Sequence, residues 1–376
     1  MKVLFLGWEF PPHSVGGLGT HSYNLVRALA EKGIQMSVIL PFRDYTKIDG
    51  IEFITFEGSS FASVYSLGKG QEKKDCQTLY MNVFNEVEEY RKKAVELSSK
   101  VEFDVIHAND WVTGRAAIEI KKKSGKKLVT TIHSTEYDRT AGNPWEEIAK
   151  EEKSIIDNSD IIVTVSRRLR DEIIRLYGVN ENKIKIIYNA IERGRFNSLR
   201  KNQNRRIVLY VGRLSVQKGV DRLIMAFKTV IERRPDALLY IVGEGQEMPN
   251  LIRLSIDLGL ADKVIFLGRA PDEDREFLYS IANVFVMPSV SEPFGIVALE
   301  AIASNVPTIV SLQSGVSEVI RNVLKVDFWD VQQMADMIIG LMEYGGINEE
   351  LSKEAYRELN EITWGKAAEE FVNLYS

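Results

Sequence analysis

Arg213 and Lys218 stand in the loop R-L-S-V-Q-K-G, directly after an apolar run at 207–212. A planar guanidinium and a mobile ammonium at one strand end suit a diphosphate, the first through two-pronged geometry and the second as a point charge. A second stretch, S-V-S-E-P-F-G-I-V-A-L-E at 289–300, follows the run N-V-F-V-M at 283–287, which reads as a buried parallel strand. Pro288 and Pro293 break the chain there. A helix is expected from 294–295, with Val297, Ala298, Ala301 and Ile302 on one apolar face. The N–H groups of its first turn, near Gly295, suit an anion. Glu292 precedes that turn and Glu300 lies along the helix, so two separated carboxylates flank an anion cradle. This pattern suits a nucleotide sugar. Taken singly, a surface cation pair, a Glu complementing a helix dipole and a solvated mid-helix Glu are all ordinary. Their placement at two strand ends of one sheet favours a site.

The N-terminal half offers a different set. A strand at 2–7 runs into a loop at 8–19 that contains V-G-G-L-G, followed by a helix over 20–32 and a strand at 36–40. The spacing is not the dinucleotide fingerprint G-x-G-x-x-G. Gly16, Gly17 and Gly19 still free backbone amides for close approach to a polar ligand at a helix N-terminus. All four histidines (His13, His21, His107, His133) lie in this half. A strand expected over 101–107 ends at His107, and one over 128–132 ends just before His133. A lone His is usually a capping or core residue; two at strand ends of one sheet point to a polar pocket. Their spacing lacks the short-range His/Asp/Glu pattern of a metal site, and none is expected.

These side chains require a repeating βα scaffold. At 376 residues the chain exceeds one ordinary core, so two domains are expected. Apolar runs alternating with helical periodicity continue through both halves, which gives an α/β protein with doubly wound parallel sheets. A small and polar loop is expected over 58–74. The stretch 188–206, with its Gly, Asn and basic run, breaks the rhythm and reads as a linker. A net charge of −5 argues against a dedicated nucleic-acid binder, and the single cysteine, Cys76, excludes an intrachain disulfide. No apolar run reaches membrane-spanning length, the N-terminus is apolar too briefly for a signal peptide, and a cytoplasmic protein is expected.

With those residues assembled, the chain resembles the retaining glycosyltransferases of GT-B architecture, above all the group that includes glycogen and starch synthases. The matching pieces are V-G-G-L-G (15–19), H-A-N-D-W (107–111), T-I-H-S-T-E (131–136), V-G-R-L-S-V-Q-K-G (211–219), V-G-E-G (242–245), E-P-F-G-I-V-A-L-E (292–300) and I-T-W-G-K-A-A-E-E-F (362–371). The resemblance implies two Rossmann-like domains with a ligand cleft between them: an acceptor-side domain over 1–190, a nucleotide-sugar-binding domain over 206–360, and a last helix at 361–376 crossing back to the first. It implies that Arg213 and Lys218 neutralise the donor diphosphate in place of a metal. Glu300 would hold the ribose hydroxyls, Glu292 the sugar hydroxyls, and Phe294, Gly295 and Ile296 would offer backbone amides. Gly16 and Gly17 would approach the diphosphate, His133 would lie by the anomeric carbon, and Asp110 would orient the acceptor.

The chemistry suits such groups, because cleaving a sugar–phosphate bond through an oxocarbenium-like state needs the departing diphosphate stabilised by preorganised cations. One departure concerns the donor: bacterial glycogen synthases carry Lys two positions before the Gly-Gly pair, where this chain has Ser14, which weighs against ADP-glucose. Another is G-V-S-E (315–318) in place of a G-G-x-x-E run. The expected activity is metal-independent transfer of a sugar, glucose foremost, from UDP- or ADP-glucose to a glucan or other sugar acceptor, with no further cofactor. Rival readings are transfer to a lipid or small-molecule acceptor, a nucleotide-sugar-binding protein without turnover, and an epimerase of similar architecture.

Overall fold

The computed structural model describes residues 1–14, 16–57, 76–192, 194, 196 and 206–376, with the backbone alone at 76–81. The loop expected over 58–74, Val15 and most of the connector between 192 and 206 lie outside the described residues. The chain divides into two compact units. The first comprises 1–137, 142–189 and 364–376, and the second 138–141 and 190–363.

In the first unit β1 (Lys2–Leu6), α1 (Gly17–Glu31), β2 (Gln35–Leu40), β3 (Glu52–Thr55), α2 (Cys76–Ser98), β4 (Val105–Asn109), α3 (Gly114–Ser124), β5 (Lys127–Ile132), the single turn α4 (Glu136–Arg139), α5 (Glu146–Asn158), β6 (Ile161–Thr164), α6 (Arg167–Tyr177) and β7 (Ile184–Ile186) succeed one another. The strands form one parallel sheet in the order β3-β2-β1-β4-β5-β6-β7. Its central strands are buried on both faces, as their continuous Val/Ile/Leu runs require. Helix ends follow local chemistry. Ser166 Oγ accepts the Leu169 N–H at the start of α6, and left-handed glycines Gly125 and Gly178 end α3 and α6.

The second unit runs β8 (Arg206–Val211), α7 (Val220–Arg233), β9 (Ala237–Val242), α8 (Met248–Asp257), β10 (Val264–Gly268), α9 (Asp272–Ile281), β11 (Val284–Met287), α10 (Ile296–Ala303), β12 (Thr308–Ser311), β13 (Leu324–Val326), α11 (Val331–Glu343) and α12 (Gly345–Glu358). Its parallel sheet has the order β10-β9-β8-β11-β12-β13. In both sheets sequence order reverses beside the first strand, at β1/β4 and at β8/β11, and open α/β sheets bind ligands outside the carboxyl ends at such points.

The last helix, α13 (Trp364–Tyr375), belongs to the first unit, where it packs on α1 and β5. The short strand β13 was not among the expected elements; three residues carry too little periodicity to read. A larger departure is α10. Instead of one apolar face it buries Ile296, Ala298, Leu299, Glu300, Ala301, Ile302 and Ala303, while Val297 is only partly buried.

Candidate functional site

In the second unit the loops after β8 and β11 are fastened together. Gln217 O accepts the N–H of Val290 at 2.9 Å, and Gly219, at φ +61°, lies so close that a Cβ there would stand 2.3 Å from Pro288 O. That approach sets Lys218 beside the E-P-F-G turn. Lys218 Nζ donates to Glu292 Oε2 at 2.6 Å, and Ser289 Oγ donates to the same oxygen at 3.1 Å. The Lys218 and Glu292 side chains are 18% and 9% exposed, so the pair is held largely out of water. Arg213 Nη2 reaches Gln217 Oε1 at 3.4 Å.

The turn is also tied to the segment after β12. Glu292 N–H donates to Gln313 O, Gly315 N–H to Glu292 O and Val316 N–H to Phe294 O, at 2.7–3.0 Å. Gly295 caps α10 at φ +104°, a backbone conformation that favours glycine, and a Cβ there would also crowd Met287 Cε at 2.7 Å. The first turn of α10, with Gly295 and Ile296, therefore faces the carboxyl edge of the sheet with the positive end of the helix. Ser291 Oγ donates to Asp138 Oδ1 within this unit.

Glu300 is not a solvated mid-helix carboxylate. It is 5% exposed, with Arg275 Nη2 at 3.2 Å from Oε1 and Tyr279 Oη at 3.0 Å from Oε2. Sequence reading missed both partners. Their i,i+4 spacing in D-E-D-R-E-F-L-Y was visible, but nothing local connects that helix to a Glu in α10.

The first unit's edge sets histidines kept neutral by burial beside the buried carboxylate of Asp110. Asp110, after β4, has φ +53° and ψ 179°, a conformation that costs a non-glycine residue about 1–3 kcal/mol. It is 2% exposed, its N–H donates to Thr131 O, and its carboxylate accepts the His133 N–H at 2.7 Å. The strained residue thereby fixes the chain leaving β5. His133 is partly buried, 3.4 Å from Asn109 Oδ1 through Nε2, and burial pushes its pKa down to about 3. Its ring meets His21 edge-on at 4.4 Å, and His21 Nδ1 bonds Asn189 Oδ1 at 2.7 Å.

His107 corrects an expectation. Its strand spans Val105–Asn109, so the residue is central in β4 and fully buried rather than at the ligand edge. Nδ1 bonds Tyr375 Oη at 2.6 Å and Nε2 bonds Thr131 Oγ1 at 2.8 Å, which makes it a core residue held by α13. Burial first, then the neighbouring imidazoles, hold His21 and His107 well below the usual histidine range.

The glycines of the first unit separate by role. Gly16 is extended at φ −161°, and a Cβ there would meet nothing within 4 Å; Gly17 begins α1. At Gly19 a Cβ would lie 1.9 Å from Ser14 Oγ, so that glycine serves packing.

Two family models match this chain: Glycosyltransferase Family 4 over residues 15–195 and Glycosyl transferases group 1 over 193–358. An uncharacterised glycosyltransferase of Methanocaldococcus jannaschii is 31% identical, covering 100% of this chain and 98% of the relative. The glycogen synthase of Mycobacterium tuberculosis is 29% identical over 86% of this chain and 80% of its own length. Among solved structures, sucrose-phosphate synthase from Thermosynechococcus elongatus superposes with a TM-score of 0.79 at 21% identity, covering 100% of this chain and 98% of that one. The two parallel-sheet units are those of the two-domain, Rossmann-like GT-B fold.

Proposed function

The chain belongs to the group 1 glycosyltransferases, and from that premise we propose that it moves a hexosyl group, glucose foremost, from a nucleoside-diphosphate sugar to a glucan or other sugar acceptor, with retention and without a metal. The observation that carries this reading is the second unit's switch point, where Lys218, Glu292 and the α10 N-terminus converge on one strand-end turn. In it Arg213 and Lys218 stabilise the departing diphosphate, the amides of Phe294, Gly295 and Ile296 receive sugar and phosphate oxygens, and Glu300 holds the ribose. Glu292 contacts sugar hydroxyls. Its ion pair with Lys218 suits that role better than attack on carbon, because a paired carboxylate is a poor nucleophile. Retention then follows from front-face attack. The bond from C1 to the phosphate oxygen breaks, the acceptor oxygen bonds C1 on the same face, and its proton passes to the departing phosphate. In the first unit Gly16 and Gly17 approach the diphosphate, neutral His133 hydrogen-bonds the transferred sugar, and Asp110 supports the acceptor side by fixing the His133 backbone.

The glycogen synthase relative favours a glucan acceptor, while the likeness to a sucrose-phosphate synthase keeps a small-molecule acceptor as the second reading. Among the described residues no helix is long and apolar enough to cross a membrane. The test is nucleotide release from UDP-, ADP- and GDP-sugars in EDTA, with and without glycogen and maltooligosaccharides. Release from a glucose donor that rises with glucan is expected. Donor-specific release indifferent to glucan selects the small acceptor, and binding without release across the panel rejects transfer.

A further inference from the structure

The grip on Glu300 exceeds what folding of α10 needs. The helix is otherwise packed with Ile, Leu and Ala, and an apolar residue at 300 would join that core without a charge to desolvate. Burying a carboxylate is costly unless it is well paired, and replacing a buried ion pair by apolar side chains is often neutral or stabilising. Here Arg275 and Tyr279, one turn apart on α9, each take one oxygen of the Glu300 carboxylate, and Tyr279 Oη also lies 3.2 Å from Val297 O on α10. Arg275 is itself anchored by Asp272 at 3.0 Å on its own helix. Two donors on two oxygens fix the plane of the carboxylate, and a fixed plane is what two adjacent hydroxyls need for simultaneous recognition. Tyr279 is fully buried, and burial beside this carboxylate keeps its phenol protonated, hence a donor, across the physiological range.

We infer that Arg275 and Tyr279 are positioning residues that orient Glu300 towards the vicinal ribose hydroxyls of the nucleotide, so that α9 sets the preference for ribo- over deoxynucleotides. This rests on the donor-site reading of Glu300 given above. It adds a helix that no matched motif contains.

The experiment is a binding cycle. The affinities of UDP and ADP, and of their 2′-deoxy and 3′-deoxy forms, are measured on the wild-type chain, Tyr279→Phe, Arg275→Lys and Glu300→Gln, with thermal unfolding as a fold control. Tyr279→Phe removes one oxygen and leaves the ring packed. The expected result is about 10-fold weaker binding of the ribonucleotide, the size of one hydrogen bond to a charged group, with little loss for the deoxy forms. In turnover the change falls on the donor KM and leaves kcat nearly intact. Equal weakening of ribo and deoxy forms by Tyr279→Phe and Arg275→Lys would mean that α9 only supports the fold, and the inference fails. A wild type that prefers ribonucleotides through Glu300 but ignores both α9 variants overturns the inference alone. A wild type that binds ribo and deoxy forms equally, with Glu300→Gln silent, overturns the ribose reading and the inference together.

Discussion

The carboxyl edges of the two sheets share a topology and differ in their electrostatics. The first carries imidazoles kept neutral by burial, ordered by a strained Asp110. The second carries paired charges, Lys218 with Glu292 and Arg275 with Glu300. A common fold thus supports two kinds of edge. Neutral polar groups can hydrogen-bond a sugar without competing for its phosphate, while fixed cations meet the charge that develops on a leaving diphosphate. The topological switch point provides a place, and the loop residues decide its charge.

The largest effect expected from breaking this contrast is at Lys218. Lys218→Met should lower turnover by about 10²-fold or more and, by leaving Glu292 buried and unpaired, cost about 3 kcal/mol of stability. Adding Glu292→Gln should recover much of that stability in urea denaturation and none of the turnover. Recovery of both would make the pair merely structural.

Acid should distinguish the units next. Burial holds the folded-state pKa values of His21, His107 and His133 below the unfolded value near 6.5. Their contribution is therefore complete above about pH 6.5 and shrinks as pH falls towards the folded values, by up to about 1.4 kcal/mol per pH unit per histidine. The second unit contains no histidine. Amide hydrogen exchange followed from pH 7 to 5 should show protection lost first in the first unit. Equal losses in both would remove the imidazoles as its source.

Glycine substitutions sharpen the contrast at smaller scale. Gly295→Ala forces a β-carbon onto Met287 at positive φ and should cost about 1–3 kcal/mol. Gly16→Ala should change stability by no more than about 0.5 kcal/mol, because the backbone is extended and the space is open. Its effect belongs to donor affinity, and an unchanged donor KM would take Gly16 out of the site.

Much of this was legible in the chain. Alternating apolar runs and helical periodicity gave the βα order, and the motifs placed Arg213, Lys218, Glu292 and Asp110 at strand ends, where the structure has them. His107 was misread because strand limits slip by a residue or two in sequence, and its partner Tyr375 lies 268 positions away. Glu300 was placed in the site, but its buried clamp was not legible, because helical periodicity reports one helix whereas Arg275 and Tyr279 reach it from α9.

The family, the two-sheet α/β plan and the residue types at each strand end are carried by the chain alone, since they follow from local pattern and motif spacing. Which charges are paired, which histidines are core, and the hold of Arg275 and Tyr279 on Glu300 emerge in the folded chain. Those facts depend on contacts between elements far apart in the chain, and burial and pairing set the protonation and orientation of a side chain more strongly than its neighbours in sequence do.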